Sequence, residues 1–250
     1  GKEDGDTDSQ IAAIEAAVAK GDKGILITPS GDAVIPALKA ARDAGLLVIA
    51  LDTPPSDATA VDITFATDNY LAGQLIGQWT AAQLGGEPAT IAMLDLFNDQ
   101  VVSVDTSRDQ GFLNGMGIIE ALDPSGNGKE PATGSYSGGD YEVAAQGAFD
   151  ALTAAGKAEG VLIVSVDGGC SPGLELVASG VIGATAQQYP GKMATLGMQA
   201  IKDLAAGKPK PEVTPGLDFF NTGVALVTDK VADGVKSISV ADGQKICWGA

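Results

Sequence analysis

The sequence predicts an α/β protein with parallel sheets. Amphipathic helices alternate with short apolar strands, and a glycine- or proline-containing turn follows each strand. Two of these strands, over residues 46–52 and 161–167, end on an aspartate, Asp52 and Asp167. The chain has 250 residues and is 45% hydrophobic, which is enough to build one large or two small domains.

The N-terminal elements follow this alternation. Ser9 is positioned to cap a first helix whose apolar residues recur at helical spacing, and residues 24–29 then form a strand. A second helix ends at Gly45, a residue type that favours helix C-termini, and the strand over residues 46–52 follows it.

The remaining elements are predicted by the same patterns of apolar spacing and turn residues. We predict strands over residues 63–66, 90–96, 132–136, 161–167, 181–186 and 219–228. We predict helices over residues 69–84, 141–155, 174–178 and 189–204, and one that begins near Arg108. Residues 207–216 form a linker because their prolines and glycines fit neither a helix nor a central strand. The strand over residues 219–228 then crosses to another part of the molecule.

The composition excludes several classes of function. A net charge of −17 and a pI near 4.1 argue against nucleic-acid binding, which needs clustered Lys and Arg. The chain has no histidine, which removes the usual general base and the commonest zinc ligand. We therefore expect neither an enzyme nor a protein that needs a cofactor or metal.

The two cysteines, Cys170 and Cys247, are too far apart in sequence to form a redox or zinc motif. They form either a disulfide or two buried free thiols. A disulfide would place the protein in an oxidising compartment.

No apolar run reaches the roughly 18 residues that a membrane span needs, and the N-terminus does not have the composition of a signal peptide. For an exported protein, we expect the signal to have been removed.

The strand ends carry the candidate binding residues. In an open parallel sheet, ligands bind at the carboxyl ends of strands, where Asp52 and Asp167 lie. Arg108 is one of two arginines in a chain that otherwise uses lysine, and its planar guanidinium suits bidentate binding of oxygen atoms. Gln188 follows another strand and can both donate and accept. These groups match the hydroxyls of a neutral sugar, whereas the structural alternative is that they cap turns and helix starts.

The sequence resembles the type I periplasmic sugar-binding proteins of ABC transporters, in the ribose- and fructose-binding branch and closest to the fructose-binding proteins. The motifs lie in the family's order along nearly the whole chain: GILITP, LLVIALDTP, FATDNYLAG, SRDQGF, VSVDGGC, VIGATAQQYP and CWG. In the fructose-binding proteins, paired cysteines occur at the DGGC and CWG positions.

The resemblance implies two similar Rossmann-like lobes joined by a hinge, with residues 1–95 and 189–215 in the N-terminal lobe and residues 96–188 and 216–250 in the C-terminal lobe. It also assigns roles to individual residues. Asp52 would bind sugar hydroxyls from the N-terminal lobe, and Asp68 and Asn69 would cap the next helix. The sugar-binding residues of the other lobe and hinge would be Asn98, Arg108, Tyr141, Asp167 and Gln188.

The resemblance further implies a protein that is periplasmic or extracellular, with a lipid anchor left open. Its partners would be a monosaccharide, such as fructose or a related hexose or pentose, and a membrane permease. We expect it to be a monomer and not to bind nucleic acid.

The sequence departs from the family at two places. The first strand, helix and strand of the family have no counterpart, and neither does a strand and helix near residues 152–157. Each absence would leave backbone groups of neighbouring strands unpaired. We therefore expect the sequence to be part of a longer chain or to omit segments of it.

Other functions remain as alternatives at this stage. Residues 4–15 carry acids at some calcium-loop positions, but they lack the glycine at position six. A sugar-sensing core of a LacI-type transcription regulator and a sugar-acting α/β enzyme would share the fold.

Overall fold

The computed structural model describes residues 5–97, 102–119 and 141–249. These residues form eight α-helices and seven strands. The strands are Gly24–Ile27 (β1), Leu47–Leu51 (β2), Ile63–Ala66 (β3), Val164–Asp167 (β4), Ala184–Gln187 (β5), Phe220–Asn221 (β6) and Ala225–Val227 (β7). The helices are Thr7–Lys20 (α1), Ile35–Asp43 (α2), Asn69–Leu84 (α3), Ser103–Gly115 (α4), Tyr141–Ala154 (α5), Glu175–Ser179 (α6), Pro190–Ala205 (α7) and Val240–Gly243 (α8).

The chain divides into two compact units. Unit 1 comprises Gly1–Thr67, Gln100–Val104 and Tyr189–Thr222, and unit 2 comprises Asp68–Asp99, Asp105–Gln188 and Gly223–Ala250. The boundary predicted from the sequence is different. The predicted N-terminal lobe includes residues 68–95, which belong to unit 2 in the structure. In the structure, α3 packs against β4 and β5 of unit 2. A strand-helix alternation does not show which sheet a connecting helix covers, so the sequence could not place this boundary.

Unit 1 contains a parallel sheet in the order β1-β2-β3-β6. Its central strand β2 is buried on both faces, as a parallel sheet covered by helices requires. Val48 and Ala50 pack with α1 and α2 on one face, whereas Ile49 packs with Met193 of α7 on the other. This explains why residues 46–51 form a continuous apolar run rather than an alternating one.

Unit 2 contains a three-stranded sheet in the order β4-β5-β7, in which β4 and β5 are parallel and β7 is antiparallel to β5. Trp79 of α3 is fully buried on this sheet, and its indole Nε1 donates to the Lys230 carbonyl at 2.7 Å. Gly183 lies against the ring, where a Cβ would come within 2.3 Å of the indole. The tryptophan therefore anchors α3 to the sheet that carries Asp167.

Most predicted elements form within a few residues of their predicted bounds, and the predicted crossing after the linker is confirmed. Residues 219–228 contribute β6 to the sheet of unit 1 and β7 to the sheet of unit 2. The predicted strand over residues 132–136 lies outside the described residues.

Three local predictions are wrong. Asp6, not Ser9, caps α1, and its carboxylate accepts from the Ser9 amide at 2.9 Å. The helix that contains Arg108 begins at Ser103, with Asp105 in its first turn, where a negative charge is favourable. Residues 90–96 do not form a strand, although Asp95 is in an isolated bridge.

The predicted strand over residues 90–96 fails because no described strand pairs with it. Residues 88–94 instead line a cavity of about 500 Å³, with Val164–Val166 of β4 among the other lining residues. β4 is consequently an edge strand of its sheet within the described part of the chain. A β-preferring sequence needs a neighbouring backbone to become a strand, and the pattern of residues 90–96 cannot show whether one is present.

Candidate functional site

The carboxyl ends of β4 and β5 bring two of the predicted residues together. Asp167 is the last residue of β4, and Gln188 immediately follows β5. The Gln188 backbone amide donates to the Asp167 carbonyl at 3.0 Å, and its side-chain Nε2 donates to Asp167 Oδ1 at 2.6 Å. The carboxylate is thus oriented by an amide that sits on the neighbouring strand end.

Arg108 supplies the positive charge of the cluster. Its Nη2 lies 3.6 Å from Asp167 Oδ1, which makes an ion pair rather than a hydrogen bond. Its Nε donates to Asn69 Oδ1 at 2.9 Å. Arg108 is 6% exposed, so the guanidinium is held from two sides in a nearly dry position. Arg108, Asp167 and Gln188 therefore form one polar cluster in unit 2.

Tyr141 joins this cluster through its ring and its hydroxyl. The ring centroid lies 5.3 Å from the Arg108 Cζ, within the range of a cation–π contact. The hydroxyl donates to the carboxylate of Asp105, which also accepts from the Leu96 amide at 2.9 Å. Burial raises the pKa of Tyr141 well above its usual value, so the phenol is neutral and donates at physiological pH.

Burial also raises the pKa of Asp105, although the Tyr141 hydroxyl and the Leu96 amide both act in the opposite direction. Asp105 lies one helical turn before Arg108 on α4. Asp105 binds the Tyr141 hydroxyl and Arg108 lies over the Tyr141 ring. These two contacts hold the Tyr141 side chain, at the start of α5, against α4.

Close packing of α3 against α4 fixes the position of Arg108. A Cβ on Gly73 would come within 1.9 Å of the Arg108 carbonyl, and one on Gly77 within 2.3 Å of the Phe112 carbonyl. From the other side, a Cβ on Gly111 would come within 2.1 Å of the Tyr70 carbonyl. The two backbones touch because glycines face each other. Asp68 caps α3 as predicted, with its carboxylate accepting from the Leu71 amide at 3.0 Å.

Asp167 has an unusual backbone. Its φ is 109°, and the next residue, Gly168, has φ 62°. Gly168 cannot carry a side chain, because a Cβ there would come within 2.6 Å of the Gln187 Cα. The positive φ angles of Asp167 and Gly168 turn the chain away from the sheet directly after β4.

The C-terminal segment is tied to the same turn. Cys170 and Cys247 form the disulfide, which confirms the first of the two alternatives and excludes free thiols. The Cys170 amide donates to the Trp248 carbonyl at 2.7 Å, and the Trp248 Nε1 donates to the Asp167 carbonyl at 3.4 Å. The disulfide therefore holds the indole against the backbone of Asp167.

Asp52 lies in unit 1, directly after β2, and has φ 65°. Its amide donates to the Phe65 carbonyl at 2.9 Å, and its carboxylate accepts from the Thr53 hydroxyl at 3.1 Å. Thr53 is a local partner that the sequence analysis did not assign. The role of Asp52 in ligand binding remains a prediction, and Asn98 lies outside the described residues.

Sequence reasoning missed four residues that support this cluster in unit 2: the buried Asp105, Glu142 and Gln187, and the exposed Trp248. Asn69 was singled out only for the start of α3, yet it also binds Arg108. The signal that could have found Glu142 and Gln187 is their position beside Tyr141 and Gln188, because neighbours of site residues often orient them.

The calcium interpretation of residues 4–15 does not hold, because α1 begins at Thr7 and a calcium loop cannot be helical throughout. Asp95, Asp105 and Asp109 do place carboxylate oxygens within 4.8 Å of one another. Asp105 already accepts two hydrogen bonds there, so the group has a structural use. Within the described ranges, no helix is both long enough and apolar enough to span a membrane.

Comparison with known proteins gives a consistent result. A family model described as a periplasmic binding protein domain matches residues 1–137. The D-ribose/D-allose-binding protein of Pseudomonas aeruginosa is 28% identical over 251 residues, which cover 91% of this chain and 76% of that protein. A galactofuranose-binding protein of Escherichia coli is 33% identical over 108 residues, which cover 42% of this chain and 33% of that protein.

Two solved structures show the same fold. A solute-binding protein of an ABC transporter from Agrobacterium vitis, with bound D-fucose, has a TM-score of 0.74 and 23% identity, and the match covers 98% of this chain and 86% of that one. A galactofuranose-binding protein has a TM-score of 0.69 and 18% identity, with 96% and 83% of the two chains covered.

Proposed function

We propose, from the premise that this chain belongs to the periplasmic binding protein family, that it is an extracytoplasmic solute-binding protein that captures a monosaccharide. The curated relative that it resembles over most of its length is named as a binding protein rather than an enzyme, in keeping with a sequence that contains no histidine. The protein would then deliver its sugar to the permease of an ABC transporter.

One observation carries the sugar assignment: Arg108, Asp167 and Gln188 form a polar cluster in unit 2, in which Arg108 and Gln188 are buried and Asp167 is half-buried. A guanidinium donates, a carboxylate accepts and an amide does both, so together they satisfy hydroxyl groups that are donors and acceptors at once. The cluster contains no nucleophile paired with a general base. It is therefore suited to hold a polyol without reacting with it.

The energy of such contacts is sufficient for useful affinity. Hydrogen bonds to charged groups contribute roughly 1.5–3 kcal/mol each. Three or four of them supply much of the ~8 kcal/mol that a micromolar complex requires. Tyr141 adds an aromatic face beside Arg108, which suits the apolar face of a sugar ring.

Within the monosaccharides, we propose fructose or a related hexose or pentose as the ligand. The fructose assignment is supported by the sequence motifs and by the disulfide at the DGGC and CWG positions. The relatives are named for ribose, allose and galactofuranose, and one similar structure contains D-fucose. These sugars define the panel to be tested.

The experiment is a thermal-shift screen of fructose, ribose, allose, galactofuranose and D-fucose, followed by calorimetry of the hits. A ligand at 100 times its Kd stabilises the folded state by about 2.7 kcal/mol. For a chain of this size, that corresponds to a rise in Tm of roughly 5–10 °C. Absence of a shift with every sugar of the panel would contradict the proposal.

The supporting variant is Asp167→Ala, which we expect to abolish binding while the protein stays folded. An unchanged sugar affinity would remove Asp167 from the site.

Size-exclusion chromatography with light scattering tests the proposed monomer against the chain mass of 25.0 kDa. Loss of sugar uptake by cells that lack the protein tests delivery to a permease.

A further inference from the structure

Glu142 is a buried acid whose carboxylate contacts the turn after Asp167. It is the second residue of α5, next to Tyr141, and is 4% exposed. Its Oε1 accepts a hydrogen bond from the Gly168 amide at 2.9 Å. A charge at such depth is costly to bury unless donors surround it, so this contact is a specific one.

The turn also closes around the Glu142 carboxylate. A Cβ on Gly173 would come within 1.8 Å of Oε1, and a Cβ on Gly169 within 3.3 Å of Oε2. The carboxylate therefore occupies the space that a side chain at position 173 would need. The segment from Gly168 to Gly173 therefore packs directly against the Glu142 carboxylate.

Gln187 also binds Gly168, but through the Gly168 carbonyl rather than its amide. It is fully buried, and its Nε2 donates to the Gly168 carbonyl at 2.9 Å and to the Gly243 carbonyl at 3.3 Å. Its Oε1 accepts no hydrogen bond within the described part of the chain. The side chain is thus used as a donor, and its main target is the backbone of Gly168.

Both polar groups of Gly168 are therefore fixed by side chains, the amide by Glu142 and the carbonyl by Gln187. The preceding residue is Asp167, whose φ of 109° is sparsely populated for a residue with a Cβ. Such a conformation is strained and persists only where the surroundings fix it. The two hydrogen bonds to Gly168 are part of what fixes it.

We propose that Glu142 and Gln187 are positioning residues for sugar recognition, which hold the Asp167 carboxylate in place through the backbone of Gly168. This inference rests on the proposed function, because Asp167 is the proposed ligand of the sugar. Both residues bind the backbone of Gly168, the residue that follows Asp167, so their effect passes through Asp167.

The experiment measures sugar affinity by calorimetry for Glu142→Ala, Glu142→Gln and the control Gln146→Ala. Gln146 lies one turn further along α5, and its Nε2 donates to the exposed Asp150 side chain at 2.7 Å. We expect Glu142→Ala to weaken binding at least tenfold. Glu142→Gln keeps an acceptor for the Gly168 amide and should stay within about threefold of wild type, as should Gln146→Ala.

Two further measurements separate positioning from a general loss of stability. In the background of Asp167→Asn, Glu142→Ala should weaken binding by less than threefold, because the residue through which it acts is already changed. Hydrogen exchange of the Gly168 amide should be at least tenfold faster in Glu142→Ala than in wild type or in Glu142→Gln. If Glu142→Ala does not fold, Gln187→Leu is measured in its place, because it removes the hydrogen bond to the Gly168 carbonyl.

The outcomes distinguish the inference from the proposed function. If the wild type binds none of the sugars, the proposed function fails, and the positioning role falls with it. If the wild type binds and Asp167→Asn weakens binding, but Glu142→Ala and Gln187→Leu behave as Gln146→Ala does, only the positioning role is overturned. Equal effects of Glu142→Ala in both backgrounds would also overturn it.

Discussion

Asp52 and Asp167 are the two non-glycine residues of the described chain that have a positive φ, at 65° and 109°. Each lies at the carboxyl end of an apolar strand, β2 and β4. A glycine would adopt this conformation without steric cost. The chain therefore keeps a carboxylate at two positions where the backbone favours glycine.

This relationship predicts a difference between two substitutions at residue 167. Asp167→Gly should be more stable than Asp167→Ala by roughly 1 kcal/mol, because only the alanine has a Cβ at positive φ. Both variants lack the carboxylate and should lose sugar binding. Urea denaturation checks the stability difference, and the pair Asp52→Gly and Asp52→Ala repeats the comparison in unit 1. An alanine variant as stable as its glycine counterpart would contradict the prediction.

The contact between α3 and α4 predicts a second pair of outcomes. Gly111→Ala should destabilise the protein by about 2 kcal/mol or more, because its Cβ would overlap the Tyr70 carbonyl. Gly147→Ala is the matched control, since nothing lies within 4 Å of its Cβ position on α5. That variant should be more stable than wild type by roughly 0.5–1 kcal/mol, as expected for alanine in a helix interior. Thermal and chemical denaturation measure both changes.

The two arginines should respond differently to replacement by lysine. In Arg108→Lys, the ammonium cannot contact Asn69 and Asp167 in the way that the planar guanidinium does. We expect sugar affinity to fall by roughly 10- to 100-fold, which is the loss of one hydrogen bond to a charged group. Arg42→Lys changes contacts with the Asp62 carboxylate and the Thr59 carbonyl in unit 1 and should leave the affinity unchanged. Calorimetry measures the sugar affinity of both variants. Equal changes in affinity would contradict the assignment of Arg108 to the sugar site.

The disulfide predicts an effect on both stability and affinity. Cys170 and Cys247 are 77 residues apart, and closing a loop of that length stabilises the folded state by about 4 kcal/mol. Reduction, or the double change Cys170→Ala and Cys247→Ala, should lower Tm and also weaken sugar binding, because Trp248 then loses its hold on the Asp167 backbone. Unaltered affinity in a folded, reduced protein would show that the indole contact does not matter.

Asp57 predicts a pH dependence in unit 1. Its hydrogen bonds from Lys39 and Thr59 lower its pKa from 3.8 to about 2. Because the pKa is lower in the folded state, the ionised form stabilises the protein above pH 4, and this contribution is lost as the pH falls through about 2. In Lys39→Met, NMR titration should show the Asp57 pKa rising toward 3.8 but staying below it, since Thr59 still donates. Asp57→Asn should show a weaker fall of stability between pH 4 and 2.

Much of the site could be predicted because its chemistry lies at strand ends, which the apolar runs mark. The runs that stop at Asp52 and Asp167, the arginine in a lysine-using chain and Gln188 were all visible in the sequence. Arg108, Tyr141, Asp167 and Gln188 are then brought together in unit 2. Glu142 and Gln187 are marked in the sequence only by their position beside Tyr141 and Gln188, because their contacts are with the backbone of Gly168, which sequence patterns do not show.

The sequence by itself determined the α/β class, most helix and strand positions and the exclusion of histidine chemistry, because these depend on local apolar periodicity and on composition. Only the tertiary structure decided which sheet α3 covers, that residues 90–96 pair with none of the described strands and that Asp167 has a positive φ. These features depend on contacts between residues distant in the chain. Local preferences set which conformations a segment can adopt, whereas its neighbours in space select one of them.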